Sequence, residues 1–286
     1  MKYKLIFTLY ALLSWFPILD AQNIQIKSKG IKYARFANIE DIDKCQYKCI
    51  YQYKVIDKTL KQNKEYFDIL QIGNNYSKYF GYPVYRIDSV VYKKDINKIS
   101  LKEATEIYKN FDRRDASSYT VIKNNKDKNL KCYDRVFTDY YVYEDTPIFN
   151  WKILKEKKTI CGYICQRAMT SFRGREWTAY YAIDIPKSDG PWKFSGLPGL
   201  IMQVSDKTGE HFFSAISIGN SKDNIYEKER EYFKTSRQQF NKQLQNFKNN
   251  ARNVISGSQL APRDPKTGKE LAVPKRKMFY NPIELE

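Results

Sequence analysis

The chain has 286 residues, with 50 Lys and Arg against 32 Asp and Glu, for a formal net charge of +18. Aromatic residues make up 15 %, with 24 Tyr and 16 Phe, which excludes disorder over most of the length and favours strands. A single histidine and five cysteines without CxxC spacing argue against a metal site, and no Walker loop, Rossmann fingerprint, HExxH or GxSxG motif occurs. No catalytic residue, metal or cofactor is assigned on this basis.

The first residues read as an export signal. Lys2 and Lys4 open it, residues 5–19 are apolar apart from Thr8 and Ser14, and Ala21 supplies a small residue for cleavage. The expectation is a signal peptide over 1–21, no lipoprotein anchor, and a periplasmic or extracellular protein with no transmembrane span after processing. Loss of Lys2, Lys4 and Asp20 would leave a charge of +17.

Residues 45–55 alternate: Cys45, Tyr47, Cys49, Tyr51, Tyr53 and Val55 share one face, and polar residues fill most of the other. That spacing predicts a half-buried strand, with residues 66–72 as its partner and 57–65 as the connection. Residues 82–92 read as a further strand broken early by Pro83. Ser100 and Glu103 form a capping-box pattern that predicts a short helix to about Phe111. Residues 132–143, 152–157, 160–170 and 177–185 read as successive strands. A hairpin follows, 200–204 with 211–218 around Asp206 to Gly209. Tyr226, Phe233, Phe240 and Phe247 recur every seven residues and predict a long helix from about 226, covering a sheet face or edge. Beyond about 250 the chain is basic and broken by prolines, with the cluster Lys275, Arg276 and Lys277. The expected organisation is one β-rich domain over 22–250 and a loosely ordered tail over 251–286. The fold class is mainly β, α+β: a curved or barrel-like antiparallel sheet with one short helix and one long C-terminal helix.

Cys45 and Cys49 are four apart, as are Cys161 and Cys165. On strands, neither pair can bridge within itself, because residues four apart lie roughly 13 Å from one another. Bridges between the two pairs, or buried free thiols, are both open readings.

The densest block is residues 190–201. It holds three glycines, two prolines, Trp192 and Phe194, then enters an apolar run. A structural corner and a rigid binding loop are the two readings of it. Its hexapeptide at 196–201 resembles the signature of the GLPGLI family of exported bacterial envelope proteins of unknown function. Trp151, residues 161–168, the Arg173-Gly174-Arg175 block, residues 177–181 and Asp184 to Pro186 extend that resemblance. The resemblance implies an envelope location and no established activity.

Binding candidates are Arg173, Arg175, Trp177, Asp184, Trp192, Gly196, Leu197, Pro198 and Gly199. Asp184 is the expected partner of the arginines; alternatively, the two guanidinium groups face an anionic ligand near Trp192. His211 is read as an incidental, exposed strand-end residue. The expected function is a non-enzymatic binding or carrier module for an anionic or amphipathic ligand or an envelope partner. Anionic lipid and lipopolysaccharide fit the charge, and nucleic acid is disfavoured by export. The alternatives are a hydrolase-like enzyme with a non-standard site and a structural or assembly component.

Overall fold

The computed structural model describes residues 32–111, 116–258, 260–264, 267–273 and 278–286. The expected signal segment lies outside these, as does the Lys275 to Lys277 cluster. Fourteen strands and three helices are seen among the described residues. The fold is mainly β, and the sheet is largely antiparallel and not closed into a barrel.

Strand β2 (Tyr47–Asp57) buries Cys49, Tyr51, Tyr53 and Val55, as its alternation predicts. It runs directly into β3 (Gln62–Ile72) through a tight turn, so most of the predicted connection is strand. β4 (Tyr76–Gly81) follows, and then α1 (Tyr82–Val91) replaces the strand expected over 82–92. Pro83 sits at its start, where a missing N–H costs nothing and the fixed φ suits a helix. In α2 (Leu101–Asn110), the Ser100 hydroxyl accepts from the Glu103 N–H.

The predicted 132–143 strand is two strands, β6 (Leu130–Val136) and β7 (Asp139–Asp145), after β5 (Thr120–Asn124). β8 (Lys152–Ile160), β9 (Tyr163–Phe172) and β10 (Arg175–Ala182) form consecutive hairpins. Both turns use two left-handed residues, Cys161-Gly162 and Arg173-Gly174, which match the twist of the flanking strands. β11 (Leu200–Asp206) and β12 (His211–Asn220) pair as expected.

The long helix starts later than its heptad spacing suggests. Tyr226 lies in β13 (Asn224–Lys228) and Phe233 in the short β14 (Phe233–Lys234). α3 (Arg237–Ser256) begins at a capping box between Ser236 and Gln239. Only Phe240 and Phe247 of the heptad series belong to it. Phe240 packs on Tyr141 and Tyr143 of β7, at ring distances of 5.8 and 5.5 Å, so the helix covers one flank of the sheet.

The main sheet has twelve strands in the order β14-β7-β6-β5-β4-β3-β2-β12-β11-β10-β9-β8. β1 (Ile39–Lys44) pairs with β13 as a separate ribbon. One sheet face carries the main core, including Tyr51, Tyr79, Trp177 and Phe213. On the other face, α1 and α2 enclose a smaller cluster of Ile87, Val91, Ile99, Ala104 and Ile107. The expectation of a loose tail fails at its end: residues 281–285 pack on the sheet, and Glu284 is buried.

Candidate functional site

The loop between β10 and β11 folds back onto the main core face. Phe194 is fully buried, 4.8 Å from the Trp177 ring, with Trp192 at 5.3 Å and Phe213 at 6.3 Å. Leu197 is buried beside them. Burying three large side chains from one loop gives it the energetics of a core element. Its backbone is closed by specific partners. The Lys123 ammonium donates to Asp189 Oδ1 at 2.6 Å and to the carbonyls of Gly190 and Phe194 at 2.8 and 3.0 Å. Burial pulls the Lys123 pKa down, against the pull of Asp189. Tyr51 donates to the Ile201 carbonyl and Trp151 Nε1 to the Ser195 carbonyl, both at 2.8 Å. Trp192 is held at φ 50°, a region that bulky residues seldom occupy. A Cβ on Gly199 would lie 2.2 Å from the Ala182 carbonyl oxygen, so only glycine lets β10 and this loop approach so closely.

The arginines are occupied. Arg173 makes a two-pronged pair with Asp145 at 2.6 and 2.9 Å and also reaches Glu284 at 2.7 Å. Lys193, 1 % exposed, joins the same two carboxylates at 2.8 and 2.5 Å, and Arg237 of α3 reaches Glu284 at 3.0 Å. Burial opposes charge on Arg173 and Asp145, yet their partners outweigh it, raising the first and lowering the second. Arg175 pairs with Asp206 at 2.8 Å and Glu210 at 3.0 Å. It also donates to Asn281 Oδ1 and to the carbonyls of Pro282 and Ile283. Burial would raise the Glu210 pKa, but Arg175, Asn281 and Lys58 bring it to about 2.

Asp184 is not their partner. It is exposed just past the end of β10, because the strand stops at Ala182. Of the predicted candidates, Trp177, Trp192 and Leu197 are core residues, Gly199 is a close-approach position, and Gly196 and Pro198 are exposed. The block therefore acts as a clasp joining β5, β7, β10, α3 and residues 281–285. Lys123, Asp145, Asp189, Lys193, Asp206, Glu210 and Glu284 do not figure among the sequence candidates. The one local signal was Lys193, a charge enclosed by Trp192 and Phe194.

His211 is fully buried, contrary to the exposed position expected for it. Its Nδ1 shares a 2.8 Å hydrogen bond with the Tyr53 hydroxyl, and its ring stacks on Tyr53. Burial and then the Arg175 charge pull its pKa down to about 4. The cysteines are all free thiols. β2 is flanked by β3 and β12, so Cys45 and Cys49 do not face Cys161 and Cys165 across a ladder. Burial pushes the thiol pKa of Cys49 to about 12 and that of Cys165 to about 11. Cys161 is exposed, in the β8–β9 turn, and donates to the Ala215 carbonyl. Among the described residues, no group of three ligating side chains could hold a metal ion, and no helix is long and apolar enough to cross a membrane.

A family model described as "Protein of unknown function (Porph_ging)" matches residues 173–203. That stretch runs from the Arg-Gly-Arg turn through the hexapeptide; it contains Arg173, Arg175, Asp189 and Lys193, whereas their partners Lys123, Asp145, Asp206, Glu210 and Glu284 lie outside it. No curated protein matches the chain. Two crystal structures of PNGF-II, in the P21 and C2 space groups, are similar at 14 % identity, with TM-scores of 0.47 and 0.48. Each likeness covers 71 % of this chain but only 34 % and 33 % of PNGF-II, so this chain spans about a third of that length.

Proposed function

We propose that the chain is an exported, non-enzymatic binding module that docks on anionic lipid of the cell envelope through exposed lysines. The observation that carries this reading is the separation of charge between interior and surface. The buried cations Lys123, Arg173, Arg175 and Lys193 each face buried or half-buried carboxylates and are unavailable to a ligand. Among the described residues, the positive excess is therefore borne mainly by exposed lysines. Its densest strand is β8, which lies at one end of the sheet and pairs only with β9. Lys152, Lys155 and Lys157 are exposed on it, with Glu156 the single acid in the strand.

Lysines on an edge strand also discourage pairing with another sheet. Solubility and lipid docking thus draw on the same residues, and a binding measurement separates them. A carrier role has less support: a crevice of about 340 Å³ beside Arg173, Gly174 and Arg175 is widely open to solvent, and a more enclosed one lined by Lys78 holds only about 50 Å³. The test is sedimentation with phosphatidylglycerol vesicles, phosphatidylcholine vesicles and lipopolysaccharide at low and physiological salt. Docking through exposed charge predicts binding to the two anionic surfaces only. It should weaken strongly as the screening length falls to about 8 Å. Equal binding to neutral and anionic vesicles, or none at low salt, would overturn the proposal.

A further inference from the structure

Lys78 is a buried lysine that the clasp does not use. It lies on β4 next to Tyr79, and strand alternation turns it to the opposite face from Tyr79, under α1 and β13. It is 3 % exposed. Its ammonium nitrogen donates to the Tyr226 carbonyl at 2.9 Å and lies 3.5 and 4.2 Å from the ring centroids of Tyr226 and Phe80. The nearby acids serve other groups. Asp88 of α1 accepts from the Tyr226 hydroxyl at 2.6 Å and pairs with Lys228 at 2.7 Å. Glu227 of β13 accepts from the Tyr133 hydroxyl of β6 and lies 3.6 Å from Lys131. No described carboxylate is hydrogen-bonded to Lys78.

Lys78 lines a crevice of about 50 Å³, together with Phe80, Val84, Ile122, Tyr226 and Tyr232. Burial first, and the Lys228 charge second, lower the Lys78 pKa to about 7. A large share of the amine is then neutral near pH 7, whereas an ordinary lysine with pKa about 10.4 is almost wholly protonated. A neutral lysine is a nucleophile toward carbonyl carbon.

We propose that Lys78 captures a small, uncharged aldehyde or ketone as an imine in this crevice. The amine lone pair forms the C–N bond while the carbonyl π electrons move to oxygen. Both amine hydrogens end on that oxygen, which departs as water, leaving C=N; no oxidant or reductant is consumed. The volume admits only a few heavy atoms. Asp88, Glu227 and Lys228 already have partners, so the crevice suits an uncharged carbonyl compound better than an ionic one.

The test uses the intact protein, acetaldehyde and sodium cyanoborohydride, with the extent of N-alkylation read at each lysine by peptide mass spectrometry from pH 6 to 9. Exposed Lys152 and Lys155 are internal controls. Lys78 should react at least about tenfold faster than these at pH 7, with a rate that half-titrates near neutrality. The substitution Val84→Trp, which fills the crevice, should suppress reaction at Lys78 alone. Labelling of Lys78 no faster than the exposed lysines would overturn the proposal. So would an unchanged Lys78 rate in folded Val84→Trp protein.

Discussion

Lys123 and Asp189 form a buried ion pair of 2.6 Å, with side chains 9 % and 7 % exposed, at the point where the Gly-Pro loop turns back onto the sheet. Lys123 binds two loop carbonyls as well, so it fixes backbone and charge together. Removing one member of such a pair strands the other charge in a poorly solvating interior. Lys123→Met should destabilise the protein by about 3–5 kcal/mol in urea unfolding. In Lys123→Met/Asp189→Asn, part of that loss should return, because no charge is left unpaired. Additive losses in the double variant would show that the two residues act independently.

Gly199 and Gly196 differ in what constrains them. A Cβ at Gly199 meets the Ala182 carbonyl at 2.2 Å, whereas one at Gly196 comes no closer than 3.6 Å to the Trp151 ring. Gly196 is instead held at φ +93°. Gly199→Ala must push the loop from β10 and should cost about 2–3 kcal/mol, in the range for overpacking. Gly196→Ala pays only backbone strain, about 1 kcal/mol. Thermal melts of the two variants should rank in that order, and the reverse ranking would contradict the close-approach argument.

His211 is the only histidine, so its ring protons give an unambiguous NMR titration. The midpoint should fall near 4. The unfolded state takes up a proton near pH 6.5 while the native state does not, so His211 lowers stability as pH falls from 6.5 towards 4. Asp68 acts in the opposite sense. Burial raises its pKa to about 6, against hydrogen bonds from Ser117 and Tyr79, so the native state takes up a proton before the unfolded one. Each effect is on the order of 3 kcal/mol at its limit. These two contributions should therefore largely cancel between pH 6 and 4, leaving the loss there to paired carboxylates such as Glu210 and Asp145. A His211 midpoint near 6.5 would mean that the ring is solvated.

The sheet is legible in the sequence wherever one face is buried. Residues 45–55 and 177–181 alternate because their inward side chains meet the core and their outward ones meet water. Legibility ends where a single residue changes the backbone. Pro83 reads as a strand breaker but starts a helix, and the Ser236 cap delays α3 past Tyr226 and Phe233. The site is less legible still. Arg173 finds Asp145 28 residues away and Glu284 111 away, and no local pattern encodes such pairings. Asp184 is closer in sequence, but the strand ends before it and leaves it in solvent.

With the Arg-Gly-Arg and Gly-Pro segment turned inward, the proposed docking of anionic lipid falls to the lysines of β8. The most direct measurement compares wild type with Lys152→Glu/Lys155→Glu/Lys157→Glu for binding to phosphatidylglycerol vesicles at low salt, alongside a thermal melt of each. These side chains are exposed, so the melt should shift little. Binding should fall by at least about tenfold, since reversal replaces three attractions, each worth roughly 1 kcal/mol at such a surface, with repulsions. Undiminished binding by the folded triple variant would show that the lysines of β8 do not meet the lipid.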